Sequence, residues 1–444
     1  MKLLKSTLLA TGLLSGYLLA ATQGTKETFR TDFLENQLPW ETVSAVAAEE
    51  AAIDFYYWGG DDRLNVWLER TVAPDLAKLG IALRTHRITA TRDVVDLVLA
   101  EDRAGKQLGE GSVDAIWVNG ENFYTLAQQD LLFGSFAQKL PNAVLFDWDE
   151  TSAGGSLNLY DFGFPTQGRE MPWSGEQYVC AVNRAMMPDS ETPDTFAALE
   201  LWLQANPGTF TYVKPPHYLG NTFVQEALYE MSTTGATGFQ QPVESYTTAE
   251  LASLMEPGMV YLRRIAPLLS QARNGVPRYP ENDSALMQLF QNSQIAMECQ
   301  FGLYHVATKS AAGLMPKNTE EIIFPRNNMI KNKNYLVIPS NAPHPAAALV
   351  FANYMSSLQA QKSKLVSVGY PLGLDLWMLN AADQADLVAA MPPHFGVTQA
   401  MLDSNIAPDT HASLVRVIEK VWESYVLQQS DAPFISLVEQ AMAR

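Results

Sequence analysis

Apolar positions along this chain switch repeatedly between a period of two and a period near 3.6, and the switches set out its elements. Ile53 to Trp58 is a β-branched and aromatic run halted by Gly59-Gly60, after which Asp61-Asp62 leads apolar positions 64, 67, 68, 72, 76 and 79. The pattern predicts strand, glycine turn and capped helix, with a kink or break where Pro74 enters the helical register. Ile81, Leu83 and Thr85 alternate as a second strand, Val94 to Leu99 reads as helix, and Val113 to Val118 is an apolar strand ending at Asn119-Gly120. Strands alternating with helices imply a mainly parallel sheet.

A second series starts at Glu176. Gln177 to Val182 reads as strand, Thr195 leads a helix, Thr209 to Val213 reads as strand, and Gly220-Asn221-Thr222 opens another helix. Thr247 and Glu250 have capping-box spacing ahead of Leu251 and Leu254. Residues 273–283 form a loop, Ser284 to Gln291 a helix, and Ile295 to Cys299 a strand. Beyond Pro343 the pattern is mostly helical, over 346–355, 359–366 and 411–426, and no internal repeat is evident. Residues 22–50 read as a polar, irregular tether followed by one short helix from Trp40 to Glu50.

Length and composition narrow the class. The 444 residues suffice for two or three compact units. Acids outnumber bases 48 to 30, a net charge of −18 that repels nucleic acid and anionic lipid. Residues 1–21 carry Lys2 and Lys5, an apolar stretch from Leu8 to Leu19 and a small-residue exit at Ala20-Ala21, which reads as a secretory signal cleaved near residues 20–24. Export without an anchor points to the periplasm.

Candidate chemistry is sparse. The six histidines are scattered, no HExxH or paired-cysteine motif occurs, and neither a GxSxG elbow nor a phosphate-binding loop is present, so the reading includes no metal, cofactor or catalytic residue. What recurs is a strand ending in small or polar residues that feeds a helix: Trp58-Gly59-Gly60-Asp61, Asn119-Gly120-Glu121-Asn122 and Tyr218-Leu219-Gly220-Asn221-Thr222. Open α/β sheets bind ligands at such strand ends.

Taken in order, FYYWGG, AIWVNGENFYTL, MPWSGEQYVCAVNR and NKNYLVIPSNAPHPAAALVFANYM resemble segments of the extracellular solute-binding proteins of ABC transporters, and most closely the YnjB-type branch. The resemblance implies an α/β, two-lobed periplasmic-binding-protein-like fold (type II), each lobe a mainly parallel sheet flanked by helices and joined by crossing hinge strands. It implies lobe 1 at 51–174 plus 302–340 and lobe 2 at 177–299 plus 343–444, with crossings near 172–178, 298–303 and 339–345. It further implies a monomer whose partners are a small-molecule ligand and a membrane permease.

Carried over position by position, the resemblance places Trp58, Gly59, Asp61, Asn119, Glu121, Asn122, Trp173, Glu176, Tyr218, Gly220, Asn221, Glu298 and Phe301 toward the interlobe cleft. It also sets Cys180 and Cys299 on adjacent crossing strands, where either a disulfide or two buried thiols would fit. Acids among aromatic faces favour an organic cation, thiamine- or polyamine-like, while helix N-termini at Gly60, Gly120 and Gly220 would suit an oxyanion, and a sugar is the third choice. An exported hydrolase using Glu121 and Glu176 as acid and base is the rival from another class.

Overall fold

The computed structural model describes residues 24–324 and 329–443; the secretory reading of residues 1–21 falls outside them. Nine strands are described: β1 (Ala52–Trp58), β2 (Ala82–Ile88), β3 (Ala115–Val118), β4 (Tyr160–Asp161), β5 (Phe164–Pro165), β6 (Glu170–Asn183), β7 (Met297–Phe301), β8 (Thr319–Ile322) and β9 (Lys331–Val337). Seven join one sheet in the order β2-β1-β3-β9-β6-β7, with β8 also on β6, and β4–β5 is a separate small hairpin. The β1 pairings with β2 and β3 are parallel, whereas β9 and every pairing of β6 are antiparallel.

Strand β6 links the two halves. Its first residues, Met171 and Trp173, belong to a core built on β1, β3 and the helices Asp62–Trp67 and Pro345–Met355. Its last residues, Tyr178 to Val182, belong to a core built on β7, β8 and the helices Tyr218–Met231 and Thr248–Ile265. Within its 14 residues it therefore changes lobes. Cys180 pairs with Cys299 in the β6–β7 register and the two form a disulfide.

Core packing redraws the expected lobe limits. Residues 303–330 stay in the second core through Leu303, Val306, Ile322, Phe324 and Ile330, and the chain returns to the first core only along β9, where Leu336 enters. Most buried residues of 346–387 then join the first core, because Ala346 to Ala352 present an apolar, small-residue helix to Phe55 and its neighbours, while Leu365 reaches the second. Val397 and Leu402 mark the last return to the second core. Core membership along the chain changes chiefly at 173–178, 330–336 and 387–397, whereas the resemblance implied crossings near 172–178, 298–303 and 339–345.

Three local expectations are also corrected. Residues 24–34 are helical and not a tether, since Phe29 and Phe33, four apart, bury one face against Phe133. At Pro74 the helix is not broken: a π-helical turn, Leu68–Val72, runs directly into Ala73–Lys78, and its widened hydrogen-bonding pattern accommodates Pro74, which has no N–H to give. The segment 209–213 contributes only an isolated bridge, Phe210 to Met297. The capping box at Thr247 and Glu250 is formed in both directions. Among the described residues no helix is long and apolar enough to cross a membrane.

Candidate functional site

The end of β1 is a rigid turn. Asp61 caps the helix Asp62–Trp67, Oδ1 accepting from the Arg63 N–H at 2.8 Å and the Leu64 N–H at 3.4 Å, while its other oxygen lies 3.6 Å from the Arg63 guanidinium. The Trp58 indole folds back over Gly60 so closely that a Cβ there would lie 2.2 Å from the ring. Gly59 is likewise fixed, its Cβ position overlapping Arg87 and its carbonyl accepting from Asn65 at 3.0 Å. Gly59 and Asp61 therefore shape the turn and have little left for a ligand.

An aromatic wall continues from it. Trp117 on β3 meets Trp58 at 6.4 Å, Trp173 at 5.0 Å and Tyr370 at 6.4 Å, all edge to face. From the other core, Phe301 and Tyr218 stack with centroids 6.2 Å apart, and Tyr218 stays exposed. Glu176 lies between the two walls on β6, half-buried, its Oε2 accepting the Leu303 N–H at 3.0 Å. Its charge reaches Tyr218, Tyr304 and Tyr370. Burial pushes its carboxyl up to about 7, opposed by the Leu303 N–H and by Lys364 and His305.

A second group forms where the helix Glu121–Gln128 faces the helix Ala412–Trp422. The turn before it, Asn119-Gly120, is held by the Gly120 N–H donating to Asp161 Oδ2 at 2.5 Å, and Phe162 occupies the space a Cβ at Gly120 would need. Asn122 donates its N–H to the Asn119 carbonyl at 3.3 Å. Burial raises the Glu121 carboxyl, and burial together with the Glu121 charge lifts Glu419 to about 7. Asn221 donates to Glu419 Oε1 at 2.7 Å and to the Pro216 carbonyl at 3.3 Å. Glu121 and Glu176 thus sit in different surroundings, one against another acid, the other against a backbone amide.

Three sequence-chosen residues are not at any accessible surface. Trp173 is 1% exposed, packed in the first core beneath the Lys364 ammonium. Glu298 is fully buried, its Oε1 facing His305 Nε2 at 3.0 Å and Gln300 Nε2 at 2.9 Å. Gly220 lies inside the helix Tyr218–Met231, capped by His217, and has no side chain because a Cβ would lie 2.3 Å from the Val213 carbonyl. Their strand and turn patterns are those of accessible residues; only the packing partners, distant in sequence, distinguish them.

Sequence reasoning missed Trp117, Tyr370 and Glu419, and it missed a cavity of about 710 Å³ between the β4–β5 hairpin, residues 240–244 and residues 408–411. None of the thirteen chosen residues lines it. Elsewhere Asp54, Asp114 and His344 cluster, but the Asp114 oxygens accept the Asp54 N–H at 2.8 Å and the His344 N–H and ring at 2.5 and 2.8 Å, so hydrogen bonds satisfy this group.

The mixed α/β architecture, with strands shared between its core clusters, is the two-lobed fold of periplasmic binding proteins. MalX from Streptococcus pneumoniae in complex with maltopentaose superposes with a TM-score of 0.61 at 15% identity, covering 88% of this chain and 98% of that one. Iron-bound HitA from Pseudomonas aeruginosa gives 0.54 at 12% identity, covering 88% and 99%. The chain belongs to the bacterial extracellular solute-binding proteins, whose family model matches residues 77–373. It is 31% identical over 385 residues to Protein YnjB of Escherichia coli K12, across 86% of this chain and 92% of that one. It is thus a solute-binding protein of ABC transporters, a class that binds small ligands and delivers them to permeases.

Proposed function

We propose that this protein is a periplasmic receptor that captures an organic cation between its lobes and presents it to an importer, with no reaction catalysed. The observation that supports it is Glu176, a half-buried carboxylate on the strand shared by both cores, with Tyr218 and Phe301 on one side and Trp58, Trp117 and Tyr370 on the other. A cation entering there keeps the carboxylate ionised and gains ring contacts worth roughly 0.5–2 kcal/mol each. Contacts made by both walls favour the closed arrangement, which is the form a transporter would read. The fold does not choose the solute, since MalX carries a maltooligosaccharide and HitA carries iron.

Titration calorimetry with thiamine, putrescine, phosphate, sulfate and maltose tests the reading. A cation is expected to bind, and Glu176→Gln to weaken it by about tenfold to a thousandfold, the cost of losing the ionic partner; Trp58→Ala should weaken it by about tenfold. An oxyanion whose binding survives Glu176→Gln would overturn it.

A further inference from the structure

Strand β2 forms one end of the seven-stranded sheet and is paired to β1 on one side only. The Ala82 N–H donates to the Ala51 carbonyl at 2.9 Å and the Gly59 N–H to the Ile88 carbonyl at 3.2 Å, so the even-numbered residues turn their backbone groups to β1. Leu83, Thr85 and Arg87 turn theirs the other way, where no backbone hydrogen bond reaches them among the described residues. Thr85 and Arg87 are exposed, as are Ala82 and Arg84. The register with β1 runs through all seven residues, Ala82 to Ile88, without a shift or a proline. Edges are commonly made unfit for pairing by shortness, a bulge or a proline. Strand β2 carries none of these, and charge is what distinguishes it.

That charge has one sign. In a chain of net charge −18, residues 82–92 hold Arg84, His86, Arg87 and Arg92 and no acid. Asp54 on β1 answers part of it, 3.3 Å from Arg84 and 2.7 Å from His86, whose ring stacks on Tyr56 at 4.3 Å. Arg87 makes no ion pair among the described residues, and Arg92 pairs with Asp96 at 3.8 Å, both side chains exposed. A second copy of the chain is a poor occupant of this edge. In an antiparallel pair centred on Thr85, Arg84 would stand opposite His86 and Leu83 opposite Arg87, and the basic groups of both copies would crowd together.

We propose that the free edge of β2 is a docking strand for an extended acidic segment of a partner protein. The segment adds an eighth strand to the sheet, exchanging hydrogen bonds with the backbone of Leu83, Thr85 and Arg87. Its carboxylates meet Arg84 and Arg87, which project from opposite faces because they are three residues apart. The backbone supplies affinity without sequence preference, and the arginines select the sign of the charge. The edge involves neither Glu176 nor the aromatic wall, so the inference goes beyond the solute reading.

The test uses the exported protein and a labelled peptide, acetyl-Glu-Thr-Val-Glu-Thr-Val-Glu-amide, whose acids have the spacing of Arg84 and Arg87, with the same peptide carrying Lys for Glu as its counterpart. Fluorescence anisotropy is expected to show the acidic peptide binding at millimolar concentration or below and the lysine peptide at least about tenfold more weakly, and amide exchange at Leu83, Thr85 and Arg87 to slow when the acidic peptide is bound. Arg87→Glu, which reverses the sign at the edge, should weaken binding at least about tenfold. Thr85→Pro removes an outward N–H and leaves the bonds to β1 in place, so it should weaken binding by a similar factor with the charge unchanged. If Thr85→Pro fails to fold, a peptide N-methylated along its central residues asks the same of the ligand and is expected to bind as weakly. Absence of binding, equal binding of the lysine peptide, binding indifferent to both Thr85→Pro and N-methylation, or pairing of two copies of the chain through β2 would overturn the proposal.

Discussion

Lys333→Met is expected to destabilise the protein by about 3–5 kcal/mol, the usual cost of breaking a buried ion pair by removing one partner. Lys333 lies on β9, 6% exposed, where its ammonium pairs with Asp375 Oδ1 at 2.7 Å and donates to Asn158 Oδ1 at 2.6 Å and to the Gly373 carbonyl at 2.9 Å. Asp375 is 4% exposed and also accepts the Asp147 N–H at 2.8 Å and Asn158 Nδ2 at 2.7 Å. The lysine therefore joins β9, the segment before β4 and the segment after the helix Leu358–Val368 at the point where the lobes meet. Without it, Asp375 remains buried with its charge uncompensated. Denaturant unfolding of the variant measures the effect, and the double change Lys333→Met with Asp375→Leu should recover part of it. A loss below about 1 kcal/mol would show the pair to be dispensable.

Stability is expected to be greatest near pH 5 and to fall as the pH rises toward 8. Glu50, Glu176, Asp409 and Glu419 are each held up to about 7, chiefly by burial, whereas in the unfolded chain they titrate near 4. Between those values the folded protein binds protons that the unfolded chain has released, so stability is present at the acid end and is lost as pH rises through the folded value. His305, raised by its hydrogen bond and charge pairing with Glu298 against the opposing effect of burial, adds a loss of the same sign above its ordinary range. For Asp409, nearly fully buried, the shift from 3.8 to about 7 corresponds to a loss on the order of 4 kcal/mol. Thermal unfolding at pH 5 and pH 8 and constant ionic strength checks this, and a higher midpoint at pH 8 would contradict it. Binding a cation at neutral pH is expected to restore part of the loss.

Much of the fold was legible because the signals were local. The glycine turn after Trp58, the capping box at Thr247 and the strand ending at Asn119 each follow from a few adjacent residues whose conformational preferences agree. Lobe membership was not local. Ala346 to Ala352 would suit either core by composition, and only the facing Phe55 decides. The same limit applies to the site: Glu176 is marked by being an acid in an apolar strand, but the inward turn of Glu298 depends on His305, and the burial of Trp173 on Gln361 and Lys364, which donate to its carbonyl from a helix almost two hundred residues away. Asp161 and Asp409, 248 residues apart, carry no sequence signal that they share a cavity.

Native mass spectrometry of the exported protein, purified without unfolding, tests the central claim most directly. The account predicts a non-covalent adduct of a small organic cation, released on denaturation and absent from Glu176→Gln. An oxyanion or sugar adduct retained by Glu176→Gln would contradict it.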